Sequence, residues 1–228
     1  MTAPRLVLRL GALPLAALLA LPVGCVNPFQ PASPEAPSGA PVIEDFKTPF
    51  KVLDTMQAGI ENRTINGANA YLHAFADSTA AGDRAFRAFF DAAVKSSWQS
   101  ANQLSAPEPW DLRLERNLHS KLSEIRPTYN YTFQWDLDPA SPSDDDPNAA
   151  PDDTVQFHRH YTLFAAPTGG ENEIIGIGFV DLSFQKESSG RWSIFRWHDR
   201  VDPAVGANPA QPDQRTFSWW RLESLNRQ

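Results

Sequence analysis

Three charged side chains fall on otherwise apolar faces of predicted β-strands, and their chemistry suits acid–base catalysis. Arg159 continues the alternation that begins at Val155, Asp181 continues the one that begins at Ile175, and Asp199 ends the last strand. A carboxylate removed from water gains proton affinity and can act as a general base, while a neighbouring arginine holds it ionised or binds an acidic ligand. The alternative is structural: an Arg–Asp pair that fixes the register of the sheet, or strand ends that emerge into water. No motif connects the three residues, which favours the structural alternative.

Two histidines flank Arg159, and their spacing raises the question of a metal site. His158 and His160 stand two residues apart, so both leave the same face of a strand and could share a metal, with His198 or Glu173 as a third ligand. That face is the polar one by alternation, so we predict surface histidines, no metal and no cofactor. The sequence also lacks the Gly-x-Ser-x-Gly pattern of serine hydrolases and a phosphate-cradling glycine loop.

The only cysteine of the chain, Cys25, lies directly after a hydrophobic N-terminal segment. Arg5 and Arg9 form a basic start, and the uncharged residues 10–23 are fewer than the ~20 that a membrane-spanning helix needs. The residues before Cys25 resemble the bacterial lipobox, in which the cysteine becomes the lipidated first residue of the mature protein, although Pro22 stands where leucine is usual. We therefore predict a lipoprotein signal peptide over residues 1–24, lipidation of Cys25 and a place in the cell envelope. Ordinary secretion and an uncleaved anchor are the alternatives.

A tether and an acidic domain follow the cysteine. Residues 25–45 are rich in Pro, Ala and Ser and cannot bury a core, so we predict a lipidated N-terminus and a disordered linker to a domain over residues 46–228. The formal net charge is −7, and it becomes more negative when Arg5 and Arg9 leave with the signal peptide. An acidic domain is repelled by nucleic acid, which excludes that partner class, and a lone cysteine excludes disulfides within the chain.

The first half of the domain has helical periodicity. Thr48 and Pro49 form a start signal, because Thr caps helices and Pro is favoured at their first position. Glu115 and His119 stand four residues apart on a later helix, where we expect both to be exposed to solvent. Apolar spacing predicts helices over residues 49–60, 68–75 and 107–122, while residues 84–98 fit either a short strand or a helix.

The second half predicts an antiparallel sheet. Apolar and polar residues alternate strictly from Tyr129 to Leu137, which is typical of a strand with one buried and one wet face. In the third strand the apolar set changes phase near Phe179, where Gly176 and Gly178 allow a bend. The fourth strand carries two apolar faces, and the C-terminal aromatic residues are the expected cover for its outer one. The four predicted strands span residues 129–137, 155–163, 174–184 and 191–199.

An acidic segment, residues 138–153, separates the first two strands. It contains Asp144, Asp145 and Asp146 and no large apolar residue. Carboxylates are calcium ligands, but the spacing matches no calcium loop and lacks a bidentate glutamate. We therefore predict a solvated hairpin loop.

Several short motifs resemble those of bacterial lipoproteins in the nuclear-transport-factor-two-like superfamily. The resemblance covers about residues 46–225 and implies an α+β fold, in which N-terminal helices pack into a curved antiparallel sheet to form a cone with an internal pocket. None of the motifs is catalytic, so they indicate fold rather than activity. The matching segments are Ile60-Glu61-Asn62-Arg63, Tyr71-Leu72, Phe75-Ala76-Asp77, the strand from Trp192 to Asp199, and Thr216 to Leu222.

The resemblance implies two functions from different classes. The main interpretation is an exported, lipid-anchored envelope protein that binds a small apolar ligand or another envelope protein in its cone, without catalysis. A homodimer through the sheet is a further expected partner. The alternative is a pocket enzyme of the isomerase, dehydratase or hydrolase type, with acid–base residues drawn from Asp181, Asp199 and Arg159. The residues expected to line the pocket are Tyr131, Phe133, Tyr161, Phe179 and Trp197.

Overall fold

The computed structural model describes residues 42–77, 84–125, 129–141, 144–148, 153–167, 169–205 and 215–227 of the 228-residue chain. These residues belong to the second of the two units into which the chain divides, Gly39–Gln228. The predicted signal peptide, Cys25 and the tether up to residue 41 lie outside the described residues. No helix in the described ranges combines the length and the apolar composition needed to cross a membrane.

Helices precede the four long strands, as predicted, while a short strand lies among the helices and a further helix follows the last strand. Five α-helices and five strands are present in the described part of the chain, followed by a 3₁₀ turn, Ser224–Arg227. The elements are α1 (Pro49–Glu61), α2 (Ile65–His73), β1 (Arg87–Phe89), α3 (Ala92–Asn102), α4 (Leu112–Ile125), β2 (Tyr129–Leu137), β3 (Thr154–Pro167), β4 (Glu173–Lys186), β5 (Trp192–Arg200) and α5 (Phe217–Glu223).

Side-chain caps determine where the helices begin. α1 begins at Pro49, as predicted, and Thr48 caps it. α2 begins at Ile65, earlier than predicted, because the hydroxyl of Thr64 accepts a hydrogen bond from the amide of Gly67 at 3.4 Å. The caps therefore correct the helix boundaries that apolar spacing alone predicted.

The ambiguous region, residues 84–98, contains both a strand and a helix. β1 ends shortly before Asp91, whose carboxylate accepts the amide of Ala93 at 2.7 Å and so starts α3. α4 begins later than predicted, since Asp111 accepts the amide of Leu114 at 3.0 Å and fixes the first turn there.

All five strands form one mixed sheet in the order β1-β5-β4-β3-β2. The predicted antiparallel pairing is confirmed for β2 to β5, whereas β1 pairs with β5 in parallel, with Arg87 opposite Arg196. Register shifts at residues 163–164 and 183–184 mark β-bulges, which bend a sheet. The predicted fold class, α+β with helices packed into a curved sheet, is confirmed.

The helices cover one face of the sheet, termed here the inner face; the other is the outer face. The contact between Phe50 of α1 and Phe157 of β3, with ring centroids 4.7 Å apart, identifies the covered side. Inner-face residues are Tyr131, Phe133, Trp135, Phe157, Arg159, Tyr161, Val180, Leu182, Phe184, Ile194, Trp197 and Asp199; outer-face residues are His158, His160, Phe179, Asp181, Arg196, His198 and Arg200.

The phase change predicted a bulge in β4, and a bulge is present at Ile175, but the buried face assigned to Phe179 and Asp181 is wrong. The inner positions before Val180 belong to Gly176 and Gly178, so Phe179 points outward. A Cβ at Gly178 would lie 2.7 Å from the Tyr161 hydroxyl, which shows that the glycine makes room for that side chain. Ile175 is the extra residue at the bulge, and it is buried although its odd number would otherwise place it on the outer face.

Helix α5 packs on the inner face rather than covering an outer one. The rings of Phe217 and Trp197 stack with centroids 5.2 Å apart, and the indole N–H of Trp220 donates to the carbonyl of Ile175 at 2.6 Å. The prediction of a strand sandwiched between two layers is corrected: the bulge at residue 195 returns Trp197 to the same face as Ile194.

Candidate functional site

Asp199 is the candidate base that lies deepest in the interior. Its carboxylate accepts hydrogen bonds from the Tyr161 hydroxyl at 2.7 Å and from the amide of Ser218 at 2.6 Å. The Tyr161 oxygen in turn accepts the amide of Phe217 at 2.7 Å. β3, β5 and the start of α5 therefore meet at this carboxylate, and both of its oxygens are occupied.

A second buried carboxylate, Glu115, lies beside this cluster. Arg221 of α5 donates to it through Nε and Nη2, both at 2.8 Å, and both side chains are fully buried. The hydroxyl of Tyr71 and the indole N–H of Trp110 also donate to Glu115. The expectation that Glu115 and His119 are exposed is wrong: both are buried, and His119 lies 3.3 Å from the carbonyl of Gly59.

Burial and neighbouring charges together set the ionisation of these groups. Desolvation raises the pKa of Asp199, and it does so despite the nearby Arg221 charge and the Ser218 and Tyr161 hydrogen bonds, which act in the opposite direction. Burial followed by the charge of Asp199 raises the pKa of Tyr161 well above its usual value. For Arg221, burial alone would lower the pKa, but the charge and hydrogen bonds of Glu115 outweigh it and raise the pKa.

Helix α5 closes the interior over these carboxylates. The Arg221 guanidinium carbon lies 4.4 Å from the centroid of the Trp197 ring and 4.8 Å from that of Phe217. These aromatic surfaces exclude water, and Asp199 is only 3% exposed. The raised pKa of Asp199 is a property of a general base, but its surroundings are those of a packed core.

Arg159 lies on the inner face, as its position in the alternation predicts, and its partner comes from the acidic segment. Asp144 accepts from Nη1 and Nη2 of Arg159 at 2.6 and 2.5 Å. The neighbouring Asp145 accepts the amide of Gln156 at 2.7 Å. Asp144 and Asp145 are therefore attached to β3, which the prediction of a solvated loop did not include, whereas Asp146, Asn148 and Asp153 are exposed as predicted. An Arg–Asp pair does form, but with neither Asp181 nor Asp199.

Asp181 lies on the outer face, which corrects its assignment to the pocket. Its Oδ1 is 2.7 Å from Nδ1 of His158 and accepts from Arg200 at 2.9 Å, and Arg200 also donates to Asp138 at 2.9 Å. Burial alone would raise the pKa of Asp138, but the Ala140 amide and Arg200 outweigh it, so the pKa of Asp138 is lowered. The outer face thus carries a network of ion pairs joining β3, β4 and β5.

The histidines do not form a metal site in the described part of the chain, where no group of three or more potential ligands comes together. His160 lies 3.2 Å from a carboxylate oxygen of Asp202 and packs on the ring of Phe179. His198 packs on Phe89 instead, with ring centroids 4.4 Å apart. The interpretation of His158 and His160 as residues of the polar face agrees with this placement.

The five residues expected to line a pocket do not share one environment. Tyr131, Phe133, Tyr161 and Trp197 are buried on the inner face, where they pack against other rings or, for Tyr131, against Arg63. Phe179 lies on the outer face, because the glycines of β4 take the inner positions. A role in ligand binding remains a prediction for the first four.

An open groove lies at one edge of the inner face, between α1 and β2. Its volume is about 420 Å³. Exposed Phe50 on one side and half-buried Trp135 on the other supply aromatic surface, with Phe133 buried beneath them. The Trp135 indole nitrogen is itself buried and has no hydrogen-bond partner among the described residues. Polar groups at the groove come from Asp54, Gln57, Thr132, Gln134 and Arg159.

Sequence reasoning did not identify Glu115 and Arg221 as partners. They are 106 positions apart, so no local pattern connects them. A signal was present at Arg221, which stands four residues after Phe217 and so on the same helical face, between Trp220 and Leu222. An arginine on an apolar helical face predicts a buried partner, and a carboxylate is the usual one.

Comparison with known proteins finds similar folds at low identity. No protein-family model and no curated protein sequence matches the chain. Aln2 from a Streptomyces species is 10% identical with a TM-score of 0.46, covering 68% of this chain and 89% of that one. A ketosteroid isomerase-like protein from Erwinia carotovora atroseptica is 8% identical with a TM-score of 0.41, covering 70% and 98%. An ntf2-like protein with a cystatin-like fold from Novosphingobium aromaticivorans is 9% identical with a TM-score of 0.41, covering 67% and 79%. At these values the similarities assign no activity to this chain.

Proposed function

We propose that this chain is an exported, lipid-anchored envelope protein whose folded domain binds a small, partly aromatic ligand without transforming it. The observation that carries the proposal is the contrast between the two candidate sites. The groove between α1 and β2 is open and has aromatic walls with polar groups around them, whereas the candidate base is enclosed by α5. Ligand sites in proteins typically combine such apolar surface with a few polar groups.

The ligand chemistry follows from the groove. Phe50 and Trp135 offer ring faces for stacking, and the side chains of Thr132 and Gln134 can exchange hydrogen bonds with a polar group of the ligand. Arg159 is already engaged by Asp144, and Asp54 adds negative charge, so an acidic ligand is disfavoured. A neutral planar compound with a carbonyl or hydroxyl oxygen satisfies these conditions.

The test is calorimetric titration with 1-naphthol, a neutral aromatic compound with one hydroxyl group. We expect Trp135→Ala to weaken binding by about tenfold, the loss that ~1.4 kcal/mol of contact energy represents. Trp219→Ala is the matched control, since it removes an equal side chain that packs on Trp98, away from the groove. Equal binding by all three proteins would refute the groove as the ligand site.

The alternative enzymatic function rests on the raised pKa of Asp199. For Asp199 to meet a substrate, α5 would have to leave the inner face, taking Phe217 and Arg221 with it. Removal of Arg221 from Glu115 leaves a buried charge without its cation, which opposes this movement. The binding function requires no such rearrangement.

The anchor and the oligomer are proposals that rest on the sequence. We propose a diacylglyceryl-modified Cys25, which mass spectrometry of the membrane fraction detects, and Cys25→Ser should release the protein from membranes. A mature protein that starts after Cys25 would refute it. A homodimer through the outer face predicts a sedimentation coefficient that increases with concentration, while a constant monomer value would refute it.

A further inference from the structure

Three arginines come together on the outer face where β1 meets β5. Arg87 and Arg196 are register partners in these parallel strands, so their backbones are about 4.8 Å apart. The guanidinium carbons of Arg84 and Arg196 lie 4.8 and 5.6 Å from the centroid of the Phe195 ring, and that of Arg196 also lies 5.5 Å from Phe89. Strand pairing and two aromatic rings thus hold three cations in one cluster, termed here the arginine cluster.

The arginine cluster has no carboxylate partner within the described residues. Like charges placed opposite one another in a sheet are destabilising, so a protein usually balances them. This chain has a net charge of −7 and ample carboxylates for that purpose. Five other arginines of the described ranges do form ion pairs: Arg159, Arg191, Arg200, Arg215 and Arg221.

The donors of the arginine cluster are oriented and largely unused. Arg87 donates one N–H to the carbonyl of Phe86 at 2.7 Å, and the guanidinium groups of Arg84 and Arg196 have no protein acceptor among the described residues. Stacking on Phe195 and Phe89 restricts the guanidinium planes, which reduces the entropy lost when they bind an anion. Burial lowers the pKa of the neighbouring His198, while the charge of Asp181 raises it and the charge of Arg196 lowers it, so Arg196 is close enough to act on this side chain.

The geometry points to a binding site for a phosphoryl group at Arg84, Arg87 and Arg196, carried either by a lipid head group or by a soluble phosphorylated compound. Guanidinium groups match phosphate oxygens in planar, paired hydrogen bonds, and three of them suit an anion with several acceptor oxygens. The site is separate from the groove, because β1 and β2 are the opposite edges of the sheet. It therefore does not depend on the proposed ligand-binding function.

The first experiment titrates the full chain with inorganic phosphate by calorimetry. We expect the double variant Arg87→Gln/Arg196→Gln to raise the Kd for phosphate by about tenfold or more, because two charge-assisted contacts are lost. The matched control is Arg113→Gln/Arg116→Gln, which removes the same charge from two exposed arginines of α4. Equal weakening in both variants, or none in either, would overturn the site. Should the first variant fail to show a cooperative thermal transition, Arg84→Gln alone replaces it, since Arg84 is exposed.

The second experiment distinguishes the source of the phosphoryl group. Sedimentation with vesicles of phosphatidylcholine, with or without phosphatidylglycerol, is compared with calorimetric titration of glycerol phosphate. Wild type and variant share the same N-terminus, so any anchor contributes equally to both. A lipid source predicts a loss of phosphatidylglycerol-dependent binding in the variant, and a soluble source predicts a loss of glycerol phosphate binding only. If neither probe separates the variant from wild type, the proposal fails.

Discussion

Two arginine–carboxylate pairs on opposite sides of the sheet have nearly equal nitrogen–oxygen distances and very different surroundings. Arg221 and Glu115 meet at 2.8 Å and are both fully buried. Arg200 and Asp181 meet at 2.9 Å, with 42% and 24% of their side chains exposed. Water can replace a lost partner on the outer face but not inside, so burial rather than distance determines what each pair contributes. Measured substitutions at different depths can test this comparison.

The largest effect is expected for Arg221→Met. The change leaves the Glu115 carboxylate buried without its cation, and breaking a buried pair in this way costs about 3–5 kcal/mol of unfolding free energy. Unfolding in guanidinium chloride, monitored by tryptophan fluorescence, measures this loss of unfolding free energy. The double variant Arg221→Met/Glu115→Gln is the control and should recover part of it. A smaller loss of unfolding free energy than Asp181→Asn causes in the outer pair would contradict the comparison.

Trp197→Ala gives a reference for the inner face that removes no ion pair, although it does remove the ring on which the Arg221 guanidinium lies. The ring packs against Phe75, Tyr161 and Phe217, and emptying a buried aromatic site costs about 3–5 kcal/mol. Denaturant titration together with ultracentrifugation checks the result. An unchanged midpoint with an altered sedimentation profile would mean that this residue serves association rather than the core.

Asp144→Asn tests a pair of intermediate exposure. The side chains of Arg159 and Asp144 are 7% and 11% exposed, so we expect a loss of about 2–3 kcal/mol, from a nearly buried cation that loses its counter-charge. Asp146→Asn in the same segment is the control, because its carboxylate bonds to the local Asn148 rather than to a strand. Equal effects of the two variants would show that the acidic segment contributes no specific pair.

Asp199→Asn should lower stability by about 1–3 kcal/mol, since one acceptor facing the Ser218 amide is replaced by a donor. The raised pKa of Asp199 also determines whether stability rises or falls with pH. The folded pKa is raised above the ordinary 3.8, so between 3.8 and that folded pKa the folded chain holds a proton that the unfolded chain has released. Stability of the wild type therefore falls as pH rises through this window, while that of the variant does not. The difference between their urea midpoints should narrow from low to high pH; widening would contradict the raised pKa.

The smallest effect is expected for Asp181→Asn on the outer face. Arg200 keeps Asp138 as a partner and remains in contact with water, so the loss should be about 1 kcal/mol or less. Added salt should reduce it further, because exposed ion pairs are screened. A loss as large as that of Arg221→Met would show that the outer network is a second structural centre.

Sequence reasoning predicted the strands well because their alternation is local. β2 matches its predicted range, and the other three long strands differ from theirs only at the ends. It misplaced Asp181 because Gly176 and Gly178, which hold the inner positions of β4, carry no apolar side chain to mark that face. It also missed the bulge at residue 195, since an extra residue becomes visible only when the partner strand is known.

The candidate site was less predictable than the fold for the same reason. The sequence around Glu115 predicts an exposed member of a helical pair, because its buried partner Arg221 is distant in the chain. Arg159 was correctly placed on the inner face, but its partner Asp144 belongs to a segment without large apolar residues. Patterns within an element predict on which face a residue lies, whereas elements distant in sequence determine whether the residue is buried and which partner it binds.

The C-terminal end of α1 occupies the free edge of β2. Glu61 accepts the amide of Phe133 at 3.0 Å, and Arg63 donates to the carbonyl of Tyr129 at 2.6 Å. Unpaired strand edges are templates on which a second chain can add a strand and begin to aggregate. These two side chains thus block the addition of a strand from a neighbouring copy. We therefore expect substitutions at Glu61 and Arg63 to cause fibril formation before they reduce ligand binding.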